Sequence, residues 1–109
     1  MDNESQLIFE VMQAVGKFGA VYRCNSGSVR LPNGKTFRGM PKGFSDIMAI
    51  LPGGVTCFIE TKIAPNKPTP EQTAFIEKMQ RLGCLAGVAH SVGDALQICG
   101  IESKGGELT

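Results

Sequence analysis

Apolar positions along this 109-residue chain recur with two different periods, and the switches between them mark the elements. Over residues 3–18, Leu7, Ile8, Val11, Met12, Val15 and Phe18 fall at helical spacing. That spacing predicts an amphipathic helix with Asn3 and Gln6 as a capping pair and Gly16 and Gly19 bracketing its end. Residues 20–24 read as a first strand. Residues 29–37 flank Pro32-Asn33-Gly34 and predict a small protruding hairpin. Two runs rich in Ile, Val, Phe and Thr, 46–51 and 55–62, then flank Pro52-Gly53-Gly54, which is a strand, turn, strand signal. After a breaker-rich loop, Thr69-Pro70-Glu71-Gln72 starts a second helix with Thr as N-cap, Pro at the first helical position and Gln in the capping box. Phe75, Ile76, Met79 and Leu82 form its buried stripe and Gly83 its stop. Residues 85–90 predict a short apolar strand, central in the sheet and parallel to an earlier strand because a helix intervenes. Ser91 and Asp94 cap a last short helix over 92–99, closed by Gly100, and the polar tail beyond Ile101 reads as frayed.

The 46–62 hairpin organises the rest. A turn centred on Gly53 places Asp46 opposite Glu60 and Met48 opposite Phe58, with Lys62 two residues beyond Glu60 on the same face. Opposed residues in such a pair have Cβ atoms roughly 4.5–5.5 Å apart, so the two carboxylates should repel unless something cationic intervenes. Lys62 alone, or Lys62 with a divalent metal, can supply that charge. The opposite face (Ile47, Ala49, Leu51, Cys57, Ile59, Ile63) is apolar apart from Thr61, and Met48, Ile50 and Phe58 make the first face apolar toward the turn. Both faces therefore look covered, with the polar cluster at one mouth. A plain surface ion pair between Glu60 and Lys62 is the simpler alternative, but it leaves Asp46 unexplained.

Composition and charge narrow the function. The length suits one domain spanning residues 1–109, and a 42% hydrophobic content with mean hydropathy near zero suits a folded chain. No apolar run approaches a membrane span, and the start of the chain lacks the basic and apolar stretches of a signal peptide, so a cytoplasmic location is expected. Cys24, Cys57, Cys84 and Cys99 are widely spaced and His90 is the only histidine, a pattern that suits reduced core thiols better than zinc. Net charge is +1, but residues 11–45 hold no Asp or Glu while carrying Lys17, Arg23, Arg30, Lys35, Arg38 and Lys42. Such a strip suits either a polyanion-facing side or ordinary solvated loops.

Three further residues have two readings each. Glu4 falls near the middle of the first helix's apolar stripe, where it can reach toward the hairpin carboxylates or simply complement the helix dipole. Gln72 lies on the buried stripe of its helix, either as a cap or as a site residue. His90 follows an apolar strand end and reads as a packed or solvent-touching imidazole rather than a catalytic one.

The element order is helix, strand, two strands of a hairpin, helix, strand, helix, an α/β arrangement that gathers Glu4, Asp46, Glu60 and Lys62. Oxygen ligands of this kind favour Mg2+ or Mn2+. The sequence here resembles the VRR-NUC branch, the virus-type replication-repair nucleases, of the PD-(D/E)XK nuclease superfamily. The marks are Glu4, Arg23-x-Asn25-x-Gly27, Lys42-Gly43-Phe44-Ser45-Asp46, Glu60-Thr61-Lys62 and Gln72, together spanning most of the chain. Ser45 departs from the family, many members of which have Pro before the Asp.

The resemblance implies a restriction-endonuclease-like αβββαβ core, its mixed sheet flanked by helices, plus a short C-terminal helix. It implies that Asp46, Glu60 and the carbonyl of Thr61 hold a divalent metal, with Glu4 completing its shell or supporting a second ion. Lys62 would orient or deprotonate the attacking water, Gln72 would position water or Lys62, and Arg23, Asn25, Arg30, Lys35, Arg38 and Lys42 would bind DNA phosphates. It further implies a structure-selective endonuclease acting on branched DNA such as four-way (Holliday) junctions, as a homodimer whose contact is apolar or hairpin-derived, and a viral or mobile-element origin. A non-catalytic DNA-binding module would need the basic strip but not the opposed carboxylates. A restriction-type enzyme would share the catalytic core but would need more structure to read base edges than this length offers.

Overall fold

The computed structural model of the chain describes residues 3–24 and 28–101. The elements run α1 (Asn3–Val15), β1 (Ala20–Arg23), β2 (Ser28–Arg30), β3 (Thr36–Arg38), β4 (Ile47–Leu51), β5 (Val55–Thr61), α2 (Pro70–Arg81), β6 (Leu85–Ala89) and α3 (Val92–Ile98). The main sheet has the order β1-β4-β5-β6, and β2 and β3 form a separate two-stranded sheet. β1 with β4 and β4 with β5 pair antiparallel, and β5 with β6 pairs parallel, so the sheet is mixed as expected. The helix between β5 and β6 is what makes a parallel return possible.

The central hairpin has the register its turn implies. Met48 pairs with Phe58 and Ile47 with Ile59, where the ladder ends, and Asp46 lies in the bend just before it. The turn itself is a short 3-10 stretch, Pro52–Gly54, in which Gly53 and Gly54 have φ of 82° and 79°. Glycine is tolerated there because no Cβ meets the backbone at positive φ.

One face of the sheet packs on α1 and α3. Leu7, Ile8, Val11 and Val15 meet Ile47, Ala49, Leu51, Cys57, Ile59, Ala95 and Cys99 in one buried cluster. Cys57 and Cys99, both free, bring their sulfurs to 3.1 Å there. Their hydrogen bond, together with burial, pushes the Cys57 thiol pKa up and keeps it protonated. On the other face three rings interlock, with Phe44 to Phe75 at 4.5 Å, Phe58 to Phe75 at 5.3 Å and Phe44 to Phe58 at 5.7 Å between centroids. The edge-to-face geometry of two of these pairs is favourable for aromatic quadrupoles. It fixes α2 and the loop before Asp46 to β5.

Four details differ from the sequence expectation. β6 is an edge strand rather than a central one; it is apolar because α2 and α3 both pack on it. The first helix stops at Val15, although Phe18 still packs on the core. Asn3 is already helical, and Gln6 donates to Glu10 at 3.0 Å instead of reaching back to cap. Leu82 is 68% exposed because the helix ends before it, and Gly83, at φ 97°, turns the chain away. Asn25, within the Arg23-x-Asn25-x-Gly27 pattern, and the tail beyond Ile101 lie outside the described residues. No helix among the described residues is long and apolar enough to cross a membrane.

Candidate metal and phosphodiester site

The site lies at the end of the sheet where β4 begins and β5 ends. Glu60 is the last residue but one of β5 and is 1% exposed, which is unusual for a carboxylate. Its Oε2 accepts a hydrogen bond from Gln72 Nε2 at 2.9 Å and lies 3.6 Å from Lys62 Nζ. Its Oε1 is buried with no hydrogen-bond partner among the described residues. Burial, and then the Asp46 carboxylate beside it, push the Glu60 pKa up to about 8 against the opposing pull of Lys62. The Lys62 side chain is only 14% exposed, so the surface-pair alternative does not describe this ion pair. Exposed pairs contribute at most about 1 kcal/mol, whereas removing one member of a desolvated pair costs several times that.

Asp46 sits at a bend one residue before β4 starts, where strand alternation does not yet bind its side chain. Its Oδ2 accepts from the Thr61 backbone N–H at 2.9 Å and from Thr61 Oγ1 at 2.7 Å. Thr61 is fully buried, so this carboxylate is held by a dry hydroxyl and an amide together. The Asp46 carbonyl in turn accepts from the Cys24 N–H at 2.7 Å, which ties the end of β1 to the same place.

Gln72 carries both of the roles open to it. Its Oε1 accepts from the Thr69 N–H at 2.8 Å while Thr69 Oγ1 accepts from the Gln72 N–H at 3.2 Å, a complete capping box. The same amide's Nε2 is the donor to Glu60. The start of α2 is itself seated by Gly43, where an added Cβ would lie 2.6 Å from the Glu71 carbonyl oxygen and where φ is 92°.

The remaining expected residues are spread around this cluster. Glu4, in the first turn of α1, is half-buried but does not complete a carboxylate trio: among the described residues no three His, Cys, Asp or Glu side chains group to hold a metal. Arg23 is exposed at the end of β1, paired with Ile47 next to Asp46. Lys42 is exposed and lies 3.8 Å from Glu71. Arg30 and Lys35 are exposed on the small hairpin, and Arg38 closes β3.

Two contacts escaped the sequence reading. The resemblance implies a metal-binding role for the Thr61 carbonyl alone, whereas the bonds of its N–H and hydroxyl to Asp46 need the bend before β4. His90 Nδ1 lies 3.1 Å from the Lys62 carbonyl, close enough to donate to it from the Nδ1–H tautomer, while the Lys62 N–H donates to the Ala89 carbonyl at 3.0 Å. The backbone of Lys62 is thus fastened on both sides.

The donor set fits a hard divalent cation. Two carboxylates, Asp46 from the bend before β4 and Glu60 from β5, share one sheet end, and one buried oxygen of Glu60 lacks a partner among the described residues.

No family sequence model matches the chain, and no curated protein matches it either. A solved structure described as a "VRR_NUC domain" is similar over 92% of this chain and 97% of its own length, with a TM-score of 0.67 and 22% sequence identity. The four-stranded mixed sheet with its three helices is accordingly an α/β, restriction-endonuclease-like arrangement, and the chain has a VRR-NUC-like fold.

Proposed function

We propose that the protein is a divalent-metal-dependent nuclease that hydrolyses DNA phosphodiester bonds, with branched DNA such as a four-way junction as its preferred substrate. The observation that carries this reading is the unpartnered, buried Oε1 of Glu60 beside Asp46 and Lys62 at one end of the sheet. A buried acceptor left unsatisfied costs roughly 1–3 kcal/mol, and more when charged, so an arrangement that retains one asks for a ligand. Asp46, Glu60 and the Thr61 carbonyl are the groups to hold Mg2+ or Mn2+, with Glu4 available at longer reach. The ion, when bound, supplies Lewis acidity toward a phosphoryl oxygen.

The chain's own residues do the rest. Gln72 and Lys62 hold the Glu60 carboxylate from one side, and Thr61 holds Asp46 from the other. Lys62, rigid at its backbone and mostly buried, orients the attacking water and offsets the negative charge that builds on the phosphoryl oxygens. The water oxygen bonds to phosphorus, the bond to the 3′ oxygen breaks, and that oxygen takes a proton, leaving 5′-phosphate and 3′-hydroxyl ends. Arg23, Arg30, Lys35, Arg38 and Lys42 contact phosphates and position the duplex without reading sequence. A homodimer would present two such sites to a two-fold junction.

The test is cleavage of end-labelled four-way junction, splayed and linear duplex DNA with Mg2+ or Mn2+, comparing wild type with Asp46→Asn and Lys62→Ala. Metal-dependent junction cutting lost in both folded variants supports the reading. Binding without cutting under either metal refutes it in favour of a binding module, and cutting of one short sequence in linear duplex would make the enzyme restriction-type. Sedimentation that finds only monomer at micromolar concentration would refute the dimer.

A further inference from the structure

The small hairpin β2–β3 exposes an aromatic and an aliphatic side chain. Phe37 is 58% exposed and Leu31 is 37% exposed. With Val29 paired to Phe37 and the Leu31 N–H donating to the Lys35 carbonyl, strand alternation puts Leu31, Lys35 and Phe37 on one face and Arg30 and Thr36 on the other. An isolated two-stranded ribbon is marginal in water, and uncovered Leu and Phe side chains add nothing to its stability. Its connections show which end of the sheet it leaves from. β1 leaves the main sheet at Arg23, paired with Ile47, and β4 enters at Ile47, so the hairpin inserted between them springs from the sheet end that holds Asp46 and Glu60. Tyr22, 54% exposed, shares that end and pairs with Met48 on the Asp46 face.

We infer that this hairpin is a base-stacking wedge: Phe37, backed by Leu31, packs against an unpaired DNA base next to the cleaved phosphate while Arg30 and Lys35 hold the adjoining backbone. The inference rests on the nuclease reading above and deepens it by assigning how branched DNA is selected. Aromatic rings stack on any base, and apolar wedges enter where stacking is already broken, at branch points and single-stranded ends. The charge around the ring decides between the two candidate occupants. The hairpin's own residues, 28–38, include Arg30, Lys35 and Arg38 and no acid. A second copy of the hairpin would bring like charges together, whereas a nucleic acid brings phosphates of opposite sign to the same ribbon.

The test is binding in chelator, without cleavage, of Phe37→Ala, Phe37→Trp and wild type to a four-way junction and a splayed duplex bearing 2-aminopurine at the first unpaired position, and to continuous duplex. The wedge predicts that Phe37→Ala weakens binding to the two branched probes by about 5- to 150-fold and leaves continuous duplex unchanged. Phe37→Trp restores the affinity, and wild type changes the 2-aminopurine emission on binding. Equal loss on all probes, no loss on any, or a wild type that binds none of them overturns it. So does a Phe37→Ala protein that turns monomeric in sedimentation while its DNA affinity holds, which would make the hairpin a contact between copies. Stacking without metal-dependent cutting refutes only the nuclease reading, and cutting indifferent to Phe37 refutes only the wedge.

Discussion

Glu60 is a carboxylate that the fold makes expensive to ionise. Its pKa is pushed up to about 8 from an ordinary 4.5, first by burial and then by Asp46. Between those two values the folded protein holds a proton that the unfolded chain has released. In chelator, stability should therefore fall as pH rises through that window, by up to about 1.4 kcal/mol per pH unit, and the loss is complete only above the folded value. Glu60→Gln should flatten this slope in urea unfolding; equal slopes in the two proteins would show that burial does not act on Glu60 as described. Added Mg2+ should oppose the same slope, since a cation favours the ionised form. The sequence already pointed to Asp46, Glu60 and Lys62, because opposed carboxylates at a strand mouth follow from alternation and turn position alone. It set capping against site duty for Gln72, and the amide does both because its oxygen and nitrogen point to different partners. The Thr61 hydroxyl could not be foreseen in the same way. Its bond depends on Asp46 lying in a bend, where the two-residue period that predicts side-chain direction breaks down.

At the level of elements, the site is as firm as the seating of α2 on the loop before Asp46. Gly43 permits that seating through φ 92° and the absence of a Cβ, and the rings of Phe44, Phe58 and Phe75 complete it. Gly43→Ala adds both left-handed strain and a clash with Glu71 backbone, so we expect a loss of about 1–3 kcal/mol in chemical unfolding and a drop in cleavage beyond what the stability loss explains. Unchanged stability would mean that the loop is not docked there. The helix start was legible because its capping box is local, needing only Thr69, Pro70 and Gln72 in sequence. The edge position of β6 was not, since an apolar strand covered by helices on both faces has the same pattern at an edge as at the centre. Leu82 misled for a related reason: helical periodicity continues past the point where Gly83 ends the helix.

Across the whole molecule, a net charge of +1 hides a separation in which residues 11–45 are wholly cationic among their charged groups. DNA binding should weaken steeply with added salt. Arg30→Ala and Lys35→Ala should each reduce the slope of log affinity against log salt by about one and weaken all DNA probes alike, read by anisotropy titrations at several salt concentrations. A slope unchanged by both substitutions would take the hairpin out of the phosphate contacts. The mixed sheet was legible from element order, and so was a basic hairpin leading into Asp46, while the pairing of β1 with β4 that sets its other root at the same sheet end was not. All of this converges on whether the Asp46 and Glu60 pair holds a divalent ion. The most direct measurement is titration of Mn2+ into the DNA-free protein, followed by electron paramagnetic resonance of the free ion, for wild type and Glu60→Gln. We expect saturable binding to wild type that Glu60→Gln abolishes or weakens at least tenfold while its fold is retained. Wild type that leaves all Mn2+ free, or a variant that binds as tightly as wild type, would contradict the account.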